Sequence, residues 1–220
     1  MKKTLLFATL LISTQAAASN WPSWRGPSGN GISPEKNLPS TWSPTENVAW
    51  KIDLPGAAGA TPAIWDDNIF VTSADGKNLV LLCISTKGKI LWKADLAGGN
   101  KKIRGDEGNS AAPSPITDGK HVWTFLGTGD MHCFDIKGKQ VWTKNFQKSY
   151  GEFDHWHGMS STPLLVGDTL YQMCLQIKSP YIVALDKLTG KERWKVTRES
   201  DALHESRHSY ASPILYQDGA

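Results

Sequence analysis

Cysteine is scarce in this 220-residue chain, and its three copies, Cys83, Cys133 and Cys174, are never adjacent and never spaced C-x-x-C. That spacing excludes a thioredoxin-like redox motif and a cysteine-rich zinc site. It leaves room for one bridge at most, so buried apolar thiols are the plain reading. Beyond the first twenty residues no apolar run is long enough to cross a membrane as a helix. Helical periodicity is absent over the same stretch, which argues against helices as the building blocks. The net charge is only +3, with acidic and basic residues interspersed. Without a basic stripe to follow a phosphate backbone, nucleic acid is not an expected partner.

What is present begins with a targeting signal. Lys2 and Lys3 precede a mostly apolar stretch from Thr4 to Ile12, and Ala16-Ala17-Ala18 fits an A-x-A cleavage site. Residues 1–18 read as a bacterial secretory signal peptide. Cleavage after Ala18 leaves Ser19 first, with no lipid-accepting cysteine nearby, so the expectation is a soluble periplasmic or secreted protein without a membrane anchor.

The rest of the chain repeats itself. KGKILWK (87–93), KGKQVWTK (137–144) and TGKERWK (189–195) share a glycine, three residues, then tryptophan. Trp50 is a partial fourth copy, and Trp50, Trp92, Trp142 and Trp194 are separated by 42, 50 and 52 residues. A second landmark keeps the same phase: ATPAIW, SPITDG, STPLLV and SPILYQ begin at positions 60, 114, 161 and 212. In the three complete copies an aromatic residue, Phe70, Trp123 or Tyr171, lies eight residues past the proline. An apolar run then precedes each Gly-x-x-x-Trp. Each unit reads as four short antiparallel strands, with the proline where a strand begins and no ladder N–H is needed. Four strands at a period near fifty residues is the pattern of a β-propeller blade.

The units resemble the PQQ-type β-propeller repeat, whose Ala-x-Asp-x-x-Thr-Gly-x-x-x-Trp motif is matched by Ala184, Asp186, Thr189, Gly190 and Trp194. The copies around Gly88 and Trp92 and around Gly138 and Trp142 are one residue shorter and carry Cys83 or Cys133 in place of the alanine. The resemblance implies that each tryptophan docks on the neighbouring blade. More broadly the chain is similar to secreted bacterial proteins of the BamB kind, which share a start like WPSWRGPSGNGIS (21–33). The fold class expected is therefore all-β: a β-propeller of four-stranded blades, incomplete here, with about three blades and the first strand of a fourth. The division expected is an extended N-terminal arm over 19–47 and a partial propeller over 48–220. Its blades are placed at about 61–95, 112–146 and 161–197, and the fourth begins near 210. Propellers close with about four to eight blades, so further C-terminal blades are expected for closure. The short chain closing by self-association is the alternative.

Alternating strand directions put the connections between blades together on one face, and those connections are long and polar. Long loops on a rigid scaffold are where binding residues tend to sit. The candidates there are Arg104, Asp106, Glu107, Asp154, His155, His157, His204, Glu205, Arg207 and His208. Imidazoles from neighbouring loops could in principle hold zinc or copper. A bare H-x-H in a loop is a weak pattern, though, and the alternative is that Trp156 packs with the histidines flanking it. Ser160, Ser161 and Thr162 lie near His157, but they also open a blade, as Thr61, Ser114 and Ser212 do, and the repeat explains them without a catalytic triad. The expected function is a non-catalytic scaffold for a protein, peptide or glycan ligand, with no catalytic residue, metal or cofactor assigned. The alternative is a quinoprotein dehydrogenase using PQQ with calcium, whose remaining site would lie in further blades. Enzymes of that kind carry a Cys-Cys pair on the quinone, a calcium site and a catalytic Asp, and adjacent cysteines do not occur here.

Overall fold

The computed structural model of the chain describes residues 19–100 and 108–216, without the side chains of His204 and Glu205. The expected signal peptide, Arg104, Asp106 and Glu107 therefore lie outside the described residues. Among the described residues twelve strands form three four-stranded antiparallel sheets. The first holds β1 (Ala63–Trp65), β2 (Asn68–Asp75), β3 (Asn78–Ser85) and β4 (Ile90–Gly98) in sequence order. The second repeats this with β5 (Ile116–Thr117), β6 (His121–Phe125), β7 (Asp130–Asp135) and β8 (Gln140–Asn145). The third has β9 (Leu164–Val166), β10 (Thr169–Cys174), β11 (Tyr181–Asp186) and β12 (Glu192–Thr197). These sheets are the blades of a PQQ-type β-propeller.

The two middle strands of each blade are buried on both faces, so they read as near-continuous apolar runs: NLVLLCIS in β3 is buried at six consecutive positions. Outer strands β4, β8 and β12 alternate or are exposed throughout. Period-2 side-chain placement sends Phe70, Leu81 and Cys83 toward Val122 and Phe134 of the second blade. On the opposite face Val71, Val80, Leu82 and Ile84 meet Ile52, Leu54 and Ala58. The second and third blades close on Trp123, Phe125, Met131 and Cys133 against Leu170, Val183 and Leu185.

A three-residue row runs across each blade at the same register. Phe70, Cys83 and Trp92 are cross-strand partners in the first, Trp123, Cys133 and Trp142 in the second, and Tyr171, Ala184 and Trp194 in the third. A small residue sits between two rings each time, which is why cysteine and alanine substitute for one another there. The indole of Trp92 lies over Gly138 and that of Trp142 over Gly190, where an added Cβ would come within 2.8 Å of the ring. Each indole N–H donates to a carbonyl in the same turn: Trp92 to Ile136 at 3.1 Å and Trp142 to Lys187 at 2.9 Å.

The proline-flanked positions make a second series of contacts. Thr61 N–H donates to Ser114 Oγ at 2.9 Å, Ser114 N–H to Thr162 Oγ1 at 3.0 Å, and Thr162 N–H to Ser212 Oγ at 2.9 Å. A residue before proline is held extended. Its N–H is thereby turned out of its own sheet toward the hydroxyl of the equivalent residue in the next.

Two local expectations differ from what is observed. Residues around Trp50 form no strand: they lie on the face of the first blade, with Trp50 Nε1–H donating to Thr86 O at 2.7 Å. No described strand pairs with it there, so the indole hydrogen bond and the packing of Ile52 and Leu54 hold the segment. Residues 211–216 likewise form no strand. A short helix, α1 (Phe146–Tyr150), also appears where helical periodicity is absent; Asn145 caps it by accepting from Lys148 N–H. Five residues are too few to show a period. Among the described residues no helix is long and apolar enough to cross a membrane.

Candidate loop-face site

The long connection after α1 and the segment after β12 converge on the link between β10 and β11. Asp154 N–H donates to Gln176 Oε1 at 2.8 Å, and Ile177 N–H donates to the Asp154 carbonyl at 3.0 Å. From the other side Ser209 N–H donates to the Leu175 carbonyl at 2.9 Å. With both segments pinned to the same link, their side chains meet. His155 Nε2–H donates to the Ser209 carbonyl at 3.3 Å, and its ring centroid lies 4.2 Å from that of His208. Tyr210 joins them, 4.7 Å from His155, 5.3 Å from His208 and 5.7 Å from His157. Trp156 meets His208 edge to face at 5.7 Å.

Burial decides the chemistry of this cluster. His208 is only 6% exposed, and neither of its ring nitrogens has a hydrogen-bond partner among the described residues. Burial also pushes the His155 pKa below the ordinary imidazole value. The neighbouring His208 and His157 add to that shift, while the Ser209 carbonyl and Asp154 oppose it. Near neutral pH His155 is therefore uncharged. Trp156 lies outside, 56% exposed, reversing the expectation that it packs while the histidines flank it. The reason is that the imidazoles pack against one another and against Tyr210 in tilted and edge-to-face contacts and fill the interior position. Asp154 faces outward to Lys178 at 3.5 Å, beside a cleft of about 460 Å³ that Tyr150, Glu152 and Phe153 also line.

Asp154, His155, His157 and His208 thus come together. Arg207 is exposed, and His204 begins a 3-10 turn (His204–Arg207) whose first two side chains are not described. Tyr210 was not singled out from sequence. The signal was there: His208 and Tyr210 are two apart in an extended segment, which puts them on one side. Of the hydroxyls near His157, Thr162 Oγ1 accepts from Ser114 N–H, and Ser161 is 1% exposed with its Oγ unpartnered among the described residues. Among the described residues no group of three or more His, Cys, Asp or Glu side chains is placed to hold a metal ion. What the arrangement offers is an exposed indole over a cluster of imidazoles, suited to aromatic contact and hydrogen bonding.

The PQQ resemblance can be tested on residues. Cys83, Cys133 and Cys174 are free and buried in three different blades, and burial pushes each thiol up to about 12. No adjacent pair is available to face a quinone, and the described residues do not fit the cofactor.

Known proteins resemble this chain over most of its length. The outer membrane protein assembly factor BamB of Shewanella oneidensis is 26% identical over 176 residues, covering 78% of this chain and 41% of that protein. A polyvinylalcohol dehydrogenase of a Sphingopyxis species is 24% identical over 195 residues, covering 81% of this chain and 28% of the enzyme. The chain therefore spans less than half the length of either relative. Among solved structures, a europium-containing methanol dehydrogenase superposes with a TM-score of 0.51 at 16% identity, over 69% of this chain and 27% of its own, a likeness of fold alone. Residues 40–219 match the family described as outer membrane protein assembly factor BamB, and the chain belongs to that family.

Proposed function

We propose that the protein is an extracytoplasmic, non-catalytic propeller that binds a protein, peptide or glycan through its long-loop face. The observation that carries this reading is the cluster of Trp156, His155, His157, His208 and Tyr210, drawn from two long connections and held on a rigid blade. The name of the Shewanella relative, an assembly factor, is in keeping with a binding role. In this reading residues 1–18 direct export, 19–47 form the arm, and the propeller runs from 48 onward. Closure of the ring takes further blades. That part of the reading is supported by the row ending in Trp194, which is 43% exposed where Trp92 and Trp142 are packed on the next blade's turn.

The likeness to a polyvinylalcohol dehydrogenase supports a second reading, a quinone-dependent oxidoreductase. One experiment separates the two: titrate the full-length protein with PQQ in the presence of calcium, following absorbance and thermal shift, then assay dye-linked alcohol oxidation. The binding reading expects no saturable PQQ site and no oxidation. It also expects Trp156→Ala to weaken binding on a peptide and glycan array without altering the melting curve. Stoichiometric PQQ binding with oxidation would sink it.

A further inference from the structure

The N-terminal arm encloses a cleft that neither the repeat nor the loop face explains. Trp21 pairs edge to edge with Ile64, at 2.9 and 2.8 Å, and the next carbonyl, of Pro22, accepts from Thr117 N–H at 2.9 Å. The arm therefore crosses from the inner edge of the first blade to that of the second. It then turns back on itself: Gly26 N–H donates to the Ser23 carbonyl at 2.9 Å, and Gly26 sits against the Trp21 ring with φ 74°. Between this turn, the strand β9 and the segment near Ile214 lies a cleft of about 360 Å³.

Its walls are mostly apolar, with Ile116, Leu164, Leu165, Val166 and Ile214 prominent. Arg25 is the only charged residue among the described residues that line it. The guanidinium lies 5.3 Å from the centroid of the Trp24 ring and makes no ion pair among the described residues. Arginine is a planar fork of donors that matches a carboxylate, and stacking on an indole leaves its edge free to donate. The cleft volume lies near the lower end for small-molecule sites, which are typically apolar with a few placed polar groups.

We propose that this cleft binds a small monocarboxylate with an apolar body, the carboxylate on Arg25 and the body against Leu165, Val166 and Ile214. A single guanidinium in an apolar wall selects one negative charge. The second charge of a phosphate monoester would be left uncompensated there. The site lies between the arm and the first strands β5 and β9 of two blades, shares no lining residue with the histidine cluster, and does not depend on the function proposed above.

The test uses the full chain and decanoate as probe, titrated by calorimetry beside decanamide, its neutral counterpart. Decanoate is expected to bind at one saturable site, with decanamide weaker by about tenfold or more, because a hydrogen bond to a charged group is lost. Arg25→Gln should weaken decanoate by a similar factor and leave decanamide unchanged, and Arg25→Lys should restore part of the loss. Equal binding of decanoate and decanamide, or no decanoate binding at about 10 mM, overturns the proposal. If Arg25→Gln does not fold, judged by its circular dichroism melt, the comparison of the two probes on the unaltered chain decides alone.

Discussion

Replacing Gly138 with alanine tests the contact between the first two blades. Gly138 has φ +88°, and a Cβ there would lie 2.8 Å from the Trp92 ring. The backbone alone costs an L-residue about 1–2 kcal/mol in the left-handed region. The ring cannot simply retreat. Its N–H is tied to the Ile136 carbonyl at 3.1 Å, and it packs between Phe70 and Phe134, at 5.9 and 6.3 Å. Overpacking of this kind costs about 1–3 kcal/mol more. Gly76 supplies the control, with φ +59° but nothing within 4 Å of its notional Cβ, so Gly76→Ala should show the backbone cost alone. Urea unfolding followed by circular dichroism would give both values. In a Trp92→Leu background the extra cost of Gly138→Ala should fall by about 1–3 kcal/mol, because neighbours in contact are not additive. If Gly138→Ala costs no more than Gly76→Ala, or costs the same with and without Trp92, the indole is not what requires glycine at this turn.

Two further predictions concern protons. His155 and His132 both have pKa values lowered chiefly by burial, so the unfolded chain binds more protons than the folded one. Stability is then full above the unfolded imidazole value near 6.5 and falls as pH drops below it; His155→Gln should flatten part of that slope in urea midpoints measured between pH 7 and 5. Asp186 is held down to about 2 by Arg193 first and then by Thr189, so its contribution is present above its ordinary value and lost as pH falls through about 2. Asp186→Asn should lower the unfolding midpoint at pH 7 but close the gap to the parent as pH falls from 4 to 2, and a gap that persists at pH 2 would refute the assignment.

Much of the fold was legible because it is written in side chains that repeat. Phe70, Trp123 and Tyr171 recur eight residues past a proline because each heads the same cross-strand row, and Trp92, Trp142 and Trp194 recur because each ends it. The segment around Trp50 shows where the pattern misleads. It carries the tryptophan of the repeat and makes its indole hydrogen bond, but a strand is made by its neighbour, and a single sequence motif says nothing about whether a neighbour is present.

The site was legible in part for the opposite reason. Nothing local joins His155 to His208; they meet because two loops are pinned to the residues between β10 and β11, and backbone closure of that kind leaves no periodic trace. The Ser-Pro and Thr-Pro steps lie between these cases. Sequence marks them as recurrent, which removed Thr162 from any catalytic triad, but not as partners. Only the geometry shows Thr61, Ser114, Thr162 and Ser212 linked N–H to hydroxyl from blade to blade. Once seen, the choice of residue follows from chemistry. Proline at the next position holds the backbone extended, and a hydroxyl is the smallest side chain that can accept from an N–H across the gap. Valine at Thr162 could keep the shape but not the bond, and would leave the buried Ser114 N–H unsatisfied at a cost of about 1–3 kcal/mol. The repeat therefore records a requirement that acts between blades rather than within one.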